Sequence, residues 1–189
     1  MNLYEGVNAL LNAIGEIPIT NNTQAIEAEV TSDVGLARDT LLRISKALQE
    51  EGYWFNKEED YPLVPNTEGL IPIGDSILSI VSQEYIVKDH KLYDVAKRSF
   101  VFETTPKVTV VFNIPFDDLP NVVADTIVRE SQVEFYNNIF GDTQELAILK
   151  ENAQRAQVVF QKAQMKHRKP NLIKGSRLTN RTQNPLGVS

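Results

Sequence analysis

The spacing of the apolar residues changes along the chain, and this change limits the fold more than any other feature. Near both chain ends the apolar residues recur three or four positions apart, the period of one helix face. Such stripes cover residues 7–14, 34–48 and 146–163. A fourth helical stretch is predicted to have Asp117 and Asp118 in its first turn and to end at Gly141. The polar residues 20–23 are typical of a loop.

The middle of the chain has a different period. Prolines and glycines separate short apolar pieces there, which indicates strands and turns. Residues 85–87 and 92–93 flank Lys88-Asp89-His90-Lys91, the pattern of a hairpin, and residues 108–112 alternate as in a strand. The middle is therefore predicted to form β-structure between helical ends.

These periods divide the chain into three parts. We expect residues 1–57 and 114–168 to form a helical bundle, and residues 58–113 to form a small inserted antiparallel β region. Residues 169–189 are polar, basic and without periodicity, so we expect a flexible C-terminal arm. The predicted fold class is α+β.

The charges are divided unequally between the two ends of the chain. All 25 acidic residues lie at or before Glu151 with 11 of the 19 basic ones, so this part carries a net charge of −14. The remaining eight basic residues follow, and residues 152–189 carry +8. An acidic body with a basic tail indicates an acidic partner for the tail, either a protein or the phosphates of a nucleic acid.

An aromatic cluster and an alanine-rich helix face are the candidate packing elements. The aromatic cluster follows the second helical stripe directly, and buried aromatic residues anchor elements to one another. Alanines in the last stripe allow close approach of another helix, which we expect to belong to a neighbouring subunit. The residues predicted to serve subunit packing are Tyr53, Trp54, Phe55, Ala153, Ala156 and Phe160.

Few residues offer catalytic or metal chemistry. The chain has no cysteine and two histidines, which excludes disulfides, thiolate metal sites and a cysteine nucleophile. We therefore expect no catalytic residue, no metal and no cofactor. The consecutive carboxylates Glu58, Glu59 and Asp60 leave one alternative open, glycan hydrolysis, which requires two carboxyl groups that face each other across the cleaved bond.

Four sequence blocks, in the same order, resemble the tail tubular protein A family of short-tailed, podovirus-like bacteriophages. They are GVNALLNAIGEIPI (6–19), GYWFNKEE (52–59), the predicted hairpin (85–94), and DDLP with FYNNIFG (117–120 and 135–141). The resemblance spans roughly residues 6–151 and does not include the basic arm.

The resemblance implies a structural head-to-tail adaptor of the virion, also called a gatekeeper, without a catalytic role. In that family a dodecameric ring lies between the portal protein and the tail nozzle protein, tail tubular protein B, and tail fibres dock near the nozzle junction. DNA passes through the ring during ejection without specific binding, and an acidic lumen would repel its phosphates. Assembly is expected in the host cytoplasm, where a chain without cysteine suits the reducing conditions.

The basic arm is expected to attach the ring to the portal, because such rings bind the portal partly through C-terminal segments. Basic residues with scattered apolar ones suit an arm that folds on binding. The alternative is a nucleic-acid-binding module, although the arm has no aromatic residue to stack on bases. The residues predicted to bind the portal are Lys169, Leu172, Ile173, Lys174, Arg177, Leu178 and Arg181.

Overall fold

The computed structural model describes residues 1–167. Within them the chain forms five α-helices, five β-strands and one short 3-10 turn, so the predicted α+β class is confirmed. The helices are α1 Leu3–Ala13, α2 Asn22–Glu27, α3 Asp33–Glu50, α4 Asn121–Phe140 and α5 Gln144–His167. The strands are β1 Lys57–Pro62, β2 Ile77–Val81, β3 Tyr85–Lys88, β4 Lys91–Asp94 and β5 Lys107–Phe112. Every strand thus lies between α3 and α4 in the chain.

Side chains at the helix ends determine where several helices begin and end. The Asn2 side chain accepts a hydrogen bond from the Glu5 amide at 3.0 Å, and the Glu5 carboxylate accepts one from the Asn2 amide at 2.9 Å. The Ser32 hydroxyl caps α3 by accepting from the Gly35 amide at 3.0 Å. Gly141, with a φ of 71°, ends α4 at the predicted position.

The prediction for Asp117 and Asp118 is wrong. Both lie in the separate 3-10 turn Phe116–Asp118, because Pro120 has an extended backbone and α4 begins only after it. The Asp117 carboxylate instead accepts a hydrogen bond at 2.5 Å from the Leu3 amide. It therefore places a negative charge at the N-terminus of α1, where the helix dipole favours it.

The loop predicted at residues 20–23 is confirmed for residues 20 and 21 and is wrong for residues 22 and 23, because α2 begins at Asn22. The Asn21 side chain accepts a hydrogen bond from the Gln24 amide at 2.9 Å and caps this helix. Ala25 is fully buried and joins α2 to the helical core. A helix of six residues is too short to show a helical period in the sequence.

The apolar stripes predicted for α1 and α3 form the centre of the helical core. Side chains such as Val7, Leu10 and Leu41 are completely buried there against Ile127 of α4. The principal helix contacts follow a fixed order: α2 packs on α1 and α3, both of these pack on α4, and α4 packs along α5. In this order α2 and α5 stand at opposite ends.

The strands form two small antiparallel sheets. β5 is the central strand of the first sheet, and β1 and β2 are its edges. β3 and β4 form the predicted hairpin, and its two-residue turn is Asp89-His90. Buried side chains including Leu63, Leu92 and Val110 make a second apolar core, distinct from the helical one.

Two buried amide side chains join the end of α3 to the central strand β5 and to the residues directly after it. Gln49 accepts from the Ile114 amide at 2.8 Å and donates to the Ile114 carbonyl at 3.0 Å. Asn56 donates to the carbonyls of Gln49 and Phe112, both at 2.9 Å, and accepts from the Tyr53 amide at 2.8 Å. Because both side chains are almost completely buried, these bonds couple the helical core to the sheet.

The chain was predicted to divide into a helical bundle, a β insertion and a C-terminal arm. The boundaries of the bundle (1–57 and 114–168) and of the insertion (58–113) stay predictions. The arm predicted at residues 169–189 lies outside the described residues. None of the helices within residues 1–167 combines the length and the apolar character that crossing a membrane requires.

Candidate assembly surfaces

The predicted aromatic cluster is built around Phe160 of α5. Tyr53, Trp54 and Phe55 form the turn between α3 and β1, and all three are half-buried. The ring centroids of Tyr53 and Trp54 lie 4.7 and 5.6 Å from that of Phe160. Trp54 also stands edge-on to Phe55 at 5.3 Å. Phe160 itself is buried, so the cluster closes one side of the helical core beside the first strand.

The last turn of α5 is held against the same aromatic turn. The His167 ring stacks on Trp54 with a centroid distance of 5.1 Å and an interplanar angle of 4°. The Gln164 side chain accepts a hydrogen bond from the Trp54 amide at 3.4 Å. The Tyr53 hydroxyl donates to the Glu51 carboxylate at 2.7 Å, and burial together with this bond raises the pKa of Tyr53 well above its ordinary value.

The alanines of α5 contribute to packing inside the subunit. Ala156 is buried against α4, where its carbonyl oxygen lies 3.5 Å from the Thr126 hydroxyl. Ala153 is half-buried. A close helix approach therefore occurs between α4 and α5 of one chain. The contact predicted between these alanines and a neighbouring subunit, and the subunit-packing role predicted for the aromatic residues, stay predictions.

The carboxylates of Glu58, Glu59 and Asp60 lie exposed on the edge strand β1. Asp60 has a φ of 56° at the point where the register with β5 shifts. Successive side chains of a strand point to opposite faces, whereas glycan hydrolysis needs two carboxyl groups that face each other. Two grooves, of about 290 and 400 Å³, are lined by other residues, from α3 to α5. This geometry does not favour a glycan-cleaving site on β1.

The outer side of α5 combines exposed apolar and basic side chains. We define the α5 face as Ile148, Arg155, Val158, Val159, Lys162, Met165 and Lys166, all of them exposed. At 3.6 residues per turn these positions fall within about 120° of the helix circumference. The exposed Glu151 lies in the same arc and pairs with Arg155, so the face carries a net positive charge. Beyond Glu151, α5 contains no acidic residue. Arg155 and Val159 also line the groove of about 290 Å³ between α5 and α4.

A second surface, around α2, carries the opposite charge. We define the acidic patch as Glu16, Ile17, Ile26, Glu27, Glu29, Val30, Asp33 and Leu36, all of them exposed. Residues 15–37 contain these four acidic residues and no lysine or arginine. The apolar members are strongly exposed, and Ile17 reaches 84%. An apolar surface surrounded by charge is typical of a protein–protein contact.

The backbone that presents the acidic patch is held by specific contacts. The Arg38 guanidinium donates hydrogen bonds to the carbonyls of Ile26 and Ala28, at 2.9 and 3.0 Å. Gly35 lies so close to the Glu29 carbonyl that a Cβ atom at this position would collide with it. The patch is therefore fixed against the first turns of α3.

Comparison with known proteins reveals the family of the chain. A sequence model described as tail tubular protein matches residues 4–170. The chain belongs to the tail tubular protein family. Tail tubular protein A of Klebsiella phage KP34 is 28% identical over 160 residues, which cover 82% of each of the two chains. The resemblance that the sequence blocks indicated is thereby confirmed.

Membership of this family determines the general role of the protein. A tail tubular protein is a structural component of a phage tail and associates with other tail proteins in the virion. The surfaces that form such associations are therefore the candidate functional sites of the chain. Within residues 1–167, the α5 face combines exposed apolar groups with a net positive charge, and the acidic patch combines them with a negative one.

Sequence reasoning identified neither surface. Their apolar residues fall outside the stripes that form the core, so the period that predicts burial does not include them. The acidic patch could have been found from the run of 23 residues from 15 to 37, which contains four acidic residues and no lysine or arginine. The residues predicted to bind the portal lie outside the described part: Lys169, Leu172, Ile173, Lys174, Arg177, Leu178 and Arg181.

Proposed function

We propose that this tail tubular protein is a head-to-tail adaptor. It forms a ring, dodecameric by family resemblance, between the portal protein and the nozzle protein, tail tubular protein B. Tail fibres dock near the nozzle junction, and DNA passes through the ring during ejection. The ring assembles in the host cytoplasm. The family match over residues 4–170 is the observation that carries this proposal.

The charge of the body supports conduction rather than binding of DNA. Residues 1–151 hold 25 acidic and 11 basic side chains, a net charge of −14. A lumen lined by this part repels phosphates, so DNA passes without being retained. The role needs no catalysis, and the exposed position of the carboxylates on β1 does not favour an added glycan-cleaving activity.

The arm at residues 169–189 attaches the ring to the portal in this proposal. It contains Lys169, Lys174, Arg177 and Arg181, and it has no acidic residue. Its scattered leucines and isoleucine fill apolar pockets on the portal while the basic groups meet acidic side chains. Such a contact weakens at high salt, and its apolar part persists.

Reconstitution with purified portal rings tests the adaptor role. Negative-stain images of the mixture should show added ring density on one end of the portal, and nozzle protein should bind only to portals that carry it. A protein that sediments separately from the portal at every ratio would refute the proposal. Particles that bind the nozzle protein equally well without this chain would refute it as well.

Two variants of the arm test its part in the proposal. Deletion of residues 169–189 should leave a folded subunit that no longer co-sediments with portal rings. A matched control keeps the arm length and replaces its four basic residues by glutamine, which should weaken binding at low salt only. If the truncated protein binds the portal as well as the full-length chain does, the body of the subunit makes the attachment. If the arm peptide alone binds DNA with a steep salt dependence, the nucleic-acid alternative gains support.

A further inference from the structure

We propose that the α5 face of one subunit docks on the acidic patch of the next, and that this contact builds the ring. This inference rests on the proposed adaptor function and names the surfaces that it uses. The occupant of each surface is a second copy of the same chain.

The exposed apolar side chains give the first reason. The α5 face leaves Ile148, Val158, Val159 and Met165 in solvent, and Met165 is 66% exposed. The acidic patch likewise exposes Ile17, Ile26, Val30 and Leu36. A contact between the two surfaces removes both sets of apolar side chains from water. Each Å² of apolar surface buried in this way contributes about 25 cal/mol of favourable free energy.

Charge complementarity gives the second reason and selects the pairing. Lys162 and Lys166 make no ion pair with any residue of the described part, and Arg155 pairs only with Glu151 of its own helix. The four acids of the patch take part in none of the ion pairs within residues 1–167. Either surface against itself brings like charges together, whereas the two surfaces together bring opposite charges into contact.

The position of the surfaces gives the third reason. α2 and α5 stand at opposite ends of the helix packing order, with α1, α3 and α4 between them. Two different surfaces on different sides of one subunit make a head-to-tail contact, which repeats from copy to copy. Such a contact closes into a ring if the rotation between copies allows it, and a two-fold dimer does not use it.

A charge exchange between the two surfaces tests the pairing in the full-length protein. Lys162→Glu with Lys166→Glu, and separately Glu27→Lys with Glu29→Lys, should each lower the yield of rings at least about tenfold. The two variants mixed in equal amounts should form rings in which they alternate, because native surface then meets native surface and reversed surface meets reversed surface. All four changes in one chain should restore rings. The control is Lys97→Glu with Lys107→Glu, which changes the charge by the same amount as the α5 variant. Both lysines are exposed in the β region, so the yield of rings should stay unchanged.

Cysteine cross-linking provides a second readout, since the natural chain has no cysteine. Chains with Val158→Cys and chains with Ile26→Cys should form disulfide-linked heterodimers when mixed, and the double variant should form a ladder of oligomers. Val158→Cys mixed with Val64→Cys, an exposed position in the β region, should give no disulfide-linked dimer.

The outcomes separate this inference from the adaptor function. If the wild type forms rings and both charge-reversed variants form them equally well, the pairing is wrong and the adaptor function stands. If reversal of the α5 face prevents portal binding and not ring closure, that face belongs to the portal contact and the pairing is again wrong. If the wild type forms no ring, alone or on the portal, the proposed function itself fails.

Discussion

The buried Asn56 side chain should contribute more to stability than any exposed residue of similar size. Its amide nitrogen donates to the carbonyls of Gln49 and Phe112, and its oxygen accepts from the Tyr53 amide, all within 2.9 Å. Asn56→Ala removes three hydrogen bonds from buried backbone groups, of which the Gln49 carbonyl keeps a second bond, from the Gly52 amide. At about 1 kcal/mol for each bond, with an added cost for the buried groups, we expect a loss of about 3–4 kcal/mol.

Urea and thermal unfolding of the purified subunit measure this loss. A single domain has about 5–15 kcal/mol of stability, so the variant should still fold. Its melting temperature should fall by on the order of 10 °C, as about 2–4 °C per kcal/mol is typical for this chain length. Asn138→Ala, an exposed position near the end of α4, is the matched control and should change little.

A second substitution separates the hydrogen bonds from the shape of the side chain. Asn56→Asp keeps the size and one acceptor but replaces the donor group with an oxygen that faces two carbonyls. It should be at least as destabilising as Asn56→Ala at neutral pH. If Asn56→Ala costs less than about 1 kcal/mol, or if Asn56→Asp is tolerated, the amide network does not couple the helices to the sheet.

Four further predictions concern single features. Trp54→Ala should lower the free energy of unfolding by about 2–3 kcal/mol in urea titrations, below the loss at a fully buried site, because Trp54 is half-buried. His90→Gly should raise it by about 0.5–1 kcal/mol, since His90 has a φ of 55° in the hairpin turn. Because the pKa of Tyr53 is raised on folding, its neutral hydroxyl contributes to the free energy of unfolding. This contribution is fully present below about pH 10 and is lost as the pH rises further. The free energy of unfolding of the wild type should therefore fall more than that of Tyr53→Phe between about pH 8 and 11. Glu58→Gln and Glu59→Gln should leave infectivity unchanged, and loss of a measurable glycan-cleaving activity in either would contradict the structural role.

The helices that could be predicted from the sequence are those whose stripes are long enough to repeat. Residues 34–48 show more than three turns of period, and they form α3 with Leu41 fully buried. α2 has six residues and could not be predicted in this way. β1 is composed of four charged residues, a tyrosine and a proline, and its pairing with β5 makes it a strand. A strand of this kind is determined by its partner, which the local sequence does not indicate.

The candidate sites also combine features that the local sequence shows with contacts that only the packing of the helices creates. The aromatic turn at Tyr53 and the helix that carries Phe160 were both visible in the sequence, but their contact joins residues more than 100 positions apart and follows from the packing of α5 on α4. The unequal division of charge was also visible, as an acidic body and a basic tail. Its consequence depends on the order in which the helices pack. α2 and α5 stand at opposite ends of that order, and within residues 1–167 no ion pair joins the acidic residues 15–37 to the basic half of α5. In our proposal such ion pairs form between subunits, and a charge pattern that looks like a property of the chain becomes a property of the ring.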